Sequence, residues 1–379
     1  MLNSLRISNF KGIKEIKIST LGRLNLIVGK NNSGKSSILE ALMLYASGGS
    51  EVIFDQISRL HDEKSRYSSA YGEEKKNLFG QALPYEHLFY GRQFTQENEI
   101  FIGEFENDFF QTNALRVRYI KNINDISEMN SNTLRVLKQL NILSDDLHIS
   151  DHVSRNFLEI LQGNFKHIIP LEEILYRSHK LIASENPNTP NYMYVPTSFT
   201  SMDELAELWD DITLTPYEKR TIEALKLIEP NIEDLRFIEE RRHRTALIKL
   251  IDEDTRFPLR SMGDGIVRIL QLILNMYAAK GGIYLIDEFD NGLHYSVQKA
   301  LWQLIFDLAH ELDIQVFATT HSWDCIQSFT EVAIEKENIK GALLKVGKSK
   351  LLKKKGASIV TVFDEEKLHT ITQTLVEVR

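Results

Sequence analysis

Cysteine is almost missing from this chain: Cys325 is the only one in 379 residues. A disulfide framework and a cysteine-based zinc site are therefore excluded, and a reducing, intracellular setting is expected. Proline (8) and glycine (19) are too scarce for a collagen-like or low-complexity chain. There is no surplus of positive charge: 45 Lys and Arg face 53 Asp and Glu, a formal net charge of −8. A protein that coats nucleic acid all over is thereby excluded, although a local basic surface is not. The most apolar stretch, 266–286, is interrupted by Arg268, Asn275 and Lys280, whereas a spanning helix needs roughly 20 largely uninterrupted apolar residues. The start, Met1 to Arg6, lacks the charged and apolar regions of a secretory signal. A cytoplasmic protein with no membrane partner is expected. Neither a G-x-S-x-G nucleophile elbow nor a repeat of 20–50 residues is visible.

What is present is an ordinary globular composition, 42% hydrophobic and 26% charged, long enough for two to three domains of about 150 residues. Residues 1–28 read as β, with a turn at Lys11-Gly12 and a buried strand at 24–28. Helical spacing follows from Ser36 to Ala46. Residues 47–97 are polar and turn-rich, and 99–121 reads as a hairpin or meander turning near Asn107-Asp108. Leu137, Leu140 and Leu143, then Phe157, Leu158, Ile160 and Leu161, predict helices. The cluster from Ser184 to Pro190 reads as a linker. Thereafter a strand at 192–195, a helix over 205–227 and a strand–turn–strand over 236–251 are expected. A helix at 264–279, a strand at 283–286, a helix at 297–312, a strand at 316–318 and a helix–strand tail complete the chain. Strands alternating with helices near both ends imply a layered α/β core.

The strongest motif is Gly29, Lys30, Asn31, Asn32, Ser33, Gly34, Lys35, Ser36, a full G-x-x-x-x-G-K-[ST] match between an apolar strand and a helix, with Ser37 next in line. Glycines let backbone N–H groups point at phosphate oxygens, and the helix N-terminus adds favourable partial charge. Lys35 would bind β- and γ-phosphate oxygens, and the Ser36 hydroxyl would ligate Mg²⁺. A second element is the apolar run 283–286 leading into Asp287-Glu288. Acids at the carboxyl end of such a strand lie beside a phosphate loop; Asp287 would hold Mg²⁺ and Glu288 would polarise water as general base. His321, 33 residues after Glu288 and just past the strand 316–318, is placed to sense a γ-phosphate. Ser261, Gly263 and Gly265 open the helix that precedes the acids and make a second anion nest. A chain that already has one phosphate loop has a use for that nest if it completes the site of another subunit.

This order of P-loop, serine-glycine nest, acidic strand and histidine resembles the ABC-type ATPases, in which two heads sandwich two nucleotides. The opening segment from Leu5 to Gly12, the loop 29–36, the nest 261–265 and the segment from Leu285 to His294 are similar to the heads of the SMC/RecF and OLD group, above all to stand-alone AAA family ATPases of bacterial defence loci. The resemblance implies an α/β P-loop NTPase head with an antiparallel β subdomain and a mostly helical insertion. Residues 1–121 and 191–379 would form the head and 122–190 the insertion. It further implies ATP and Mg²⁺ as ligands, a homodimer or higher even-numbered oligomer, and catalytic roles for Lys35, Glu288 and His321. His294 would support the dimer seam.

The chain also departs from the pattern. The glutamine of the Q-loop has two candidates, Gln81 and Gln93. Only 58 residues follow His321, too few for the Toprim nuclease domain of full-length OLD proteins, so nuclease or toxin activity would come from a separate effector chain. Arg241-Arg242-His243-Arg244 and Lys353 to Lys355 could contact DNA phosphates, but ion pairing with neighbouring carboxylates is the more ordinary reading. Three outputs stay open: an ATPase sensor or scaffold for an effector in phage defence, a RecF-like DNA clamp for repair or recombination, and an assembly subunit with slow turnover. The residues themselves do not discriminate ATP from GTP; the resemblance favours ATP.

Overall fold

The computed structural model describes residues 1–61, 85–94, 98–107, 109–121, 156–171, 186–240, 242–348 and 358–363. The chain opens with the hairpin β1 (Leu5–Phe10) and β2 (Ile13–Ile18), in which Leu5, Ile7, Ile16 and Ile18 face the core. β3 (Leu24–Val28) is buried over its whole length and leads through the phosphate loop into α1 (Lys35–Ala46). α2 (Glu51–Leu60) follows. Then come β4 (Ile100–Gly103), the short pair β5 (Phe105–Glu106) and β6 (Phe109–Phe110), and β7 (Leu115–Lys121), with Asn107 at φ 47 in the expected turn. β8 (Asn156–Gln162) and β9 (Phe165–Pro170) complete an antiparallel sheet in the order β2-β1-β4-β7-β8-β9.

β10 (Tyr192–Val195) begins the second half. α3 (Met202–Ile212) and α4 (Pro216–Leu225) pack beside a three-stranded sheet of β11 (Ile232–Glu240), β12 (His243–Leu250) and β13 (Arg256–Pro258). α5 (Asp264–Ala278), β14 (Ile283–Ile286), α6 (Tyr295–Glu311), β15 (Gln315–Thr320), α7 (Trp323–Glu335), β16 (Gly341–Lys348) and β17 (Ser358–Phe363) follow. The central sheet runs β10-β14-β15-β3-β16-β17, parallel except at the β16/β17 edge.

Two cores share this parallel sheet. Leu24, Leu26, Tyr284, Ile286, Val316 and Ala318 face the core built with α3 to α7. Ile27, Ile283, Leu285 and Phe317 face α1 and, beyond it, the antiparallel sheet. Period-two alternation with both faces apolar is what a doubly covered parallel sheet demands. α1 consequently lies between sheets and is buried all along from Ile38 to Ala46.

Several sequence expectations need correction. Phe157, Leu158, Ile160 and Leu161 lie in a strand, not a helix. A short apolar run has no decisive period, and the deciding signal was the two-residue Gly163-Asn164 turn, with Gly163 at φ 56. The described part of 122–190 therefore extends the first sheet rather than forming a helical insertion; the helices expected at Leu137 to Leu143 fall outside the described residues. The polar segment 47–97 contains α2, which buries Ile53, Phe54 and Ile57 on one face. The helix expected over 205–227 is broken at Leu214 (φ 63), where Thr215 caps α4 and Pro216 occupies its first turn.

Candidate active site

The parallel strands β3, β15 and β14 lie side by side and end on the same edge. Whatever follows each of them is therefore delivered to one place. After β3 come the loop 29–34 and the first turn of α1, after β15 His321, and after β14 Asp287 and Glu288.

The loop is held largely by its own backbone. Gly29 cannot be replaced without a clash, since a Cβ there would lie 2.3 Å from the Val346 carbonyl oxygen. Asn32 sits at φ 61, and Gly34 at φ 107 is the N-cap of α1. Ser33 N–H donates to the Lys30 oxygen at 3.2 Å and Ser33 itself is buried, while Lys30, Asn31 and Asn32 are exposed. No acidic residue stands in the first turn of α1, so nothing in the helix itself offsets the positive end that faces the loop. Lys35 Nζ donates to the Gly29 and Lys30 carbonyls at 2.9 and 3.3 Å. Partial burial pulls the Lys35 pKa down, against the attraction of Asp287 and Glu288. Ser37 is half-buried beside the exposed Ser36.

Across from the loop, Ser36 Oγ lies 3.4 Å from both carboxylate oxygens of Asp287. The Thr319 hydroxyl donates to Asp287 Oδ1 at 2.6 Å and accepts from the Glu288 N–H at 2.8 Å. Glu288 adopts φ 47, a left-handed conformation that costs a side-chain-bearing residue of order 1–3 kcal/mol and persists only where its surroundings enforce it. The Glu288 carboxylate reaches out to His321, with Oε1 3.6 Å from Nδ1, at 38% and 53% side-chain exposure. Thr320 Oγ1 donates to Asp290 at 2.5 Å, fixing the segment beyond the acids.

Sequence reasoning passed over Arg268. It stands one helical turn into α5 and is 0% exposed. Its guanidinium donates to the carbonyls of Pro196 (2.8 Å), Asp287 (2.8 Å) and Glu288 (2.9 Å). The signal was there: a lone arginine inside the apolar run 266–274 is a charge that must be buried and satisfied. Gln271, one turn later, donates to the Thr200 hydroxyl at 2.7 Å, and Asn291 donates to the Thr197 carbonyl at 2.8 Å. The segment 196–200 is thus tied down by side chains of α5 and of the stretch after the acids.

Ser261 stands exposed in the turn before α5, its hydroxyl donating to the Pro258 carbonyl at 2.7 Å. Gly263 has φ 97, and a Cβ at Gly265 would lie 2.9 Å from the Gly292 oxygen. Among the described residues, no hydrogen bond or ion pair joins Ser261, Gly263 or Gly265 to residues 29–37, the acids or His321. Lys35, Ser36, Asp287, Glu288 and His321 come together; the nest does not join them. Gln93 is exposed and Gln81 lies outside the described residues. Arg244 is engaged, pairing with Asp210 at 2.5 Å, and its N–H and the His243 ring face Asp203. Lys353 to Lys355 lie outside the described residues.

Chemically, the edge offers backbone N–H groups and an ammonium able to bind a polyphosphate, plus a partly exposed carboxylate beside them. The Ser36 hydroxyl and the Asp287 carboxylate are hard oxygen donors facing each other. That sparse set suits Mg²⁺, which keeps several waters and takes its remaining ligands from phosphates. Among the described residues there is no cluster of three or more His, Cys, Asp or Glu able to hold a metal by itself. Nor is any helix among them long and apolar enough to cross a membrane.

Known proteins resemble this chain in sequence and fold. The AAA ATPase domain family matches residues 1–326. Over 372 residues the chain is 25% identical to an ATP/GTP phosphatase of Helicobacter pylori, spanning 89% of this chain and 90% of that one. A stretch of 49 residues is 39% identical to the DNA replication and repair protein RecF of Clostridioides difficile, 13% of each chain. Among solved structures, the Smc head bound to the C-winged helix domain of ScpA superposes with a TM-score of 0.50 at 16% identity, covering 97% of this chain and 99% of that one. At such identity the fold is what is shared, an α/β P-loop head. Matched over most of its length, the chain belongs to the AAA ATPase domain family and is an ATPase, with a head that shares the fold of the Smc head.

Proposed function

We propose that this protein is a Mg²⁺-dependent ATPase whose copies close head to head around ATP in the cytoplasm and thereby regulate a separate effector, a nuclease or toxin, in anti-phage defence. The carrying observation is a site that is rich on one side and bare on the other. Lys35, Ser36, Asp287, Glu288 and His321 converge, while Ser261 and Gly263 stay exposed, Gly265 is half-buried, and none of the three is bonded to them. A second copy could supply that nest, which would make hydrolysis depend on assembly. Nucleotide can drive assembly only through its greater affinity for the closed state.

In this reading Lys35 and the loop N–H groups bind the β- and γ-phosphates and neutralise charge as it develops, the largest expected contribution to catalysis. Ser36 and Asp287 would hold Mg²⁺, which when bound supplies Lewis-acid polarisation of phosphate oxygens. Glu288 orients and deprotonates water, and His321 holds the Glu288 carboxylate and reads the γ-phosphate. The effector role rests on the OLD-like motifs. A DNA-clamp role has less support, because Arg244 is already committed to Asp210.

Glu288→Gln is the test. Turnover should fall roughly 10²- to 10⁴-fold, the range for loss of a general base, while ATP remains bound. Light scattering should then show an even number of chains with ATP and a smaller particle without it. A particle whose mass is the same with and without ATP would remove the head-to-head reading.

A further inference from the structure

Three consecutive residues at the hydrolytic edge are held by one threonine. Thr319 donates its hydroxyl hydrogen to Asp287 Oδ1 at 2.6 Å and accepts the Glu288 N–H on the same oxygen at 2.8 Å. Its backbone carbonyl accepts the Phe289 N–H at 2.9 Å. The residue is completely buried, and it belongs to β15, the strand inserted between the one that leads to the phosphate loop and the one that leads to the acids.

The donor bookkeeping fixes the direction of each bond. A backbone N–H can only donate, so the Glu288 amide occupies a lone pair of Thr319 Oγ1. A carboxylate can only accept when ionised, so the one hydroxyl hydrogen points at Asp287. With Oδ1 engaged, the Asp287 carboxylate cannot turn freely, and its remaining lone pairs are presented towards Ser36. The same hydroxyl oxygen holds the amide of Glu288 in its left-handed conformation at φ 47. In that position the regular β14–β15 ladder has ended, its last paired residues being Ile286 and Ala318. The Glu288 N–H, partly buried, would otherwise have no ladder partner.

We infer that Thr319 is the positioning residue of the hydrolytic centre: a single hydroxyl orients the Asp287 carboxylate and sets the backbone from which Glu288 reaches the γ-phosphate. This rests on assigning Asp287 and Glu288 to hydrolysis. It goes beyond that assignment by giving the β15 threonine a role separate from that of His321, two residues on. A valine there keeps the shape and β-branching but removes both hydroxyl bonds; a serine keeps the bonds but loses the methyl.

The variants Thr319→Val, Thr319→Ser and Thr319→Ala are compared in the full chain, with Glu288→Gln in parallel. Two quantities are read: kcat with saturating ATP, and the Mg²⁺ concentration at the midpoint of thermal stabilisation by a non-hydrolysable ATP analogue. Thr319→Val should lower kcat roughly 10- to 100-fold and raise the Mg²⁺ midpoint by a similar factor, as loss of a group that orients a metal ligand does. Thr319→Ser should remain within about threefold of wild type on both, because its hydroxyl can make the same bonds. Should Thr319→Val not fold, the Ser-against-Ala difference carries the same comparison. Wild-type kcat and midpoint in Thr319→Val, or an equal fall in Thr319→Ser, would overturn the role. If Glu288→Gln itself turns over normally, the hydrolytic assignment falls and takes this one with it. If Glu288→Gln is inactive while Thr319→Val is normal, only the role of Thr319 is lost.

Discussion

The phosphate loop and the acids opposite it share one edge of the parallel sheet, but they are built in different ways. The loop is local: Ser33 bonds to Lys30, Lys35 to Gly29 and Lys30, and Gly34 caps the helix that follows. Apart from the approach of Ser36 to Asp287 and the packing of Gly29 against Val346, its bonds span fewer than seven residues. The acidic side is tertiary. Asp287 and Glu288 are held by Arg268 from α5 and by Thr319 from β15, some 20 residues upstream and 31 or more downstream. A local motif can be conveyed by a short stretch of sequence; a clamp of this kind exists only once α5 and β15 have packed. Nucleotide affinity should therefore be robust to distant changes, and hydrolytic geometry sensitive to them.

The largest break of this contrast comes from Arg268→Met. It removes the charged donor from three carbonyls and leaves them buried, at a cost of roughly 3 kcal/mol for bonds to a charged group. That is a large part of the 5–15 kcal/mol by which domains are ordinarily stable. Denaturant titration should show the loss as a lowered midpoint. ATP affinity in the surviving folded fraction should change little, whereas kcat falls. If kcat and affinity fell in proportion, the loop would depend on the clamp after all and the contrast would be wrong.

The same division explains what could be read in the chain. The strand, loop and helix of residues 24–46, the strands at 283–286 and 315–320 and the helix at 264–278 all announce themselves through apolar runs bounded by glycines or caps. Parallel strands then oblige their carboxyl ends to meet, so the grouping of Lys35, Asp287, Glu288 and His321 was legible in outline. Arg268 and Thr319 were not. Their importance lies in the hydrogen bonds they make to residues distant in sequence, and no spacing rule encodes that. β8 was misread for a different reason: Phe157, Leu158, Glu159 and Ile160 are all buried, so the alternation that marks a half-exposed strand is erased. α2 was hidden because its exposed face mixes Val52 and Leu60 with Gln56 and Arg59, which blurs the amphipathic period.

A smaller effect sharpens the contrast from the other side of α1. Glu159, in β8, is almost fully buried between Arg118 of β7 and Lys166 of β9. Burial pushes its pKa up, but the hydrogen bonds from Arg118 and Lys166 more than reverse this and hold it below the ordinary 4.5. A carboxylate depressed in the folded state contributes stability above its unfolded pKa and loses it as pH falls through the folded value. Stability should therefore decline below about pH 4.5, and Glu159→Gln should flatten that part of the pH profile while costing about 2 kcal/mol at neutral pH. Chemical denaturation at several pH values measures both. Since Glu159 touches neither half of the hydrolytic edge, kcat at neutral pH should be unchanged in the folded protein.

The smallest effect concerns the segment between the clamp and α3. Ser201 caps α3 through a reciprocal pair: its hydroxyl accepts the Glu204 N–H at 3.2 Å, and the Glu204 carboxylate accepts the Ser201 N–H at 3.0 Å. This capping box is as local as the phosphate loop, yet it directly follows the tertiary strap 196–200. Ser201→Ala should cost about 1 kcal/mol, the usual value of an N-cap. If the strap is fixed by Arg268, Gln271 and Asn291, as its bonds indicate, fraying the first turn of α3 will not be passed on to Glu288. Stability then drops by that amount while kcat and ATP affinity both hold. A fall in kcat beyond the loss of folded protein would mean that the cap of α3 is part of the clamp, and the boundary between local and tertiary construction would have to be drawn further along the chain.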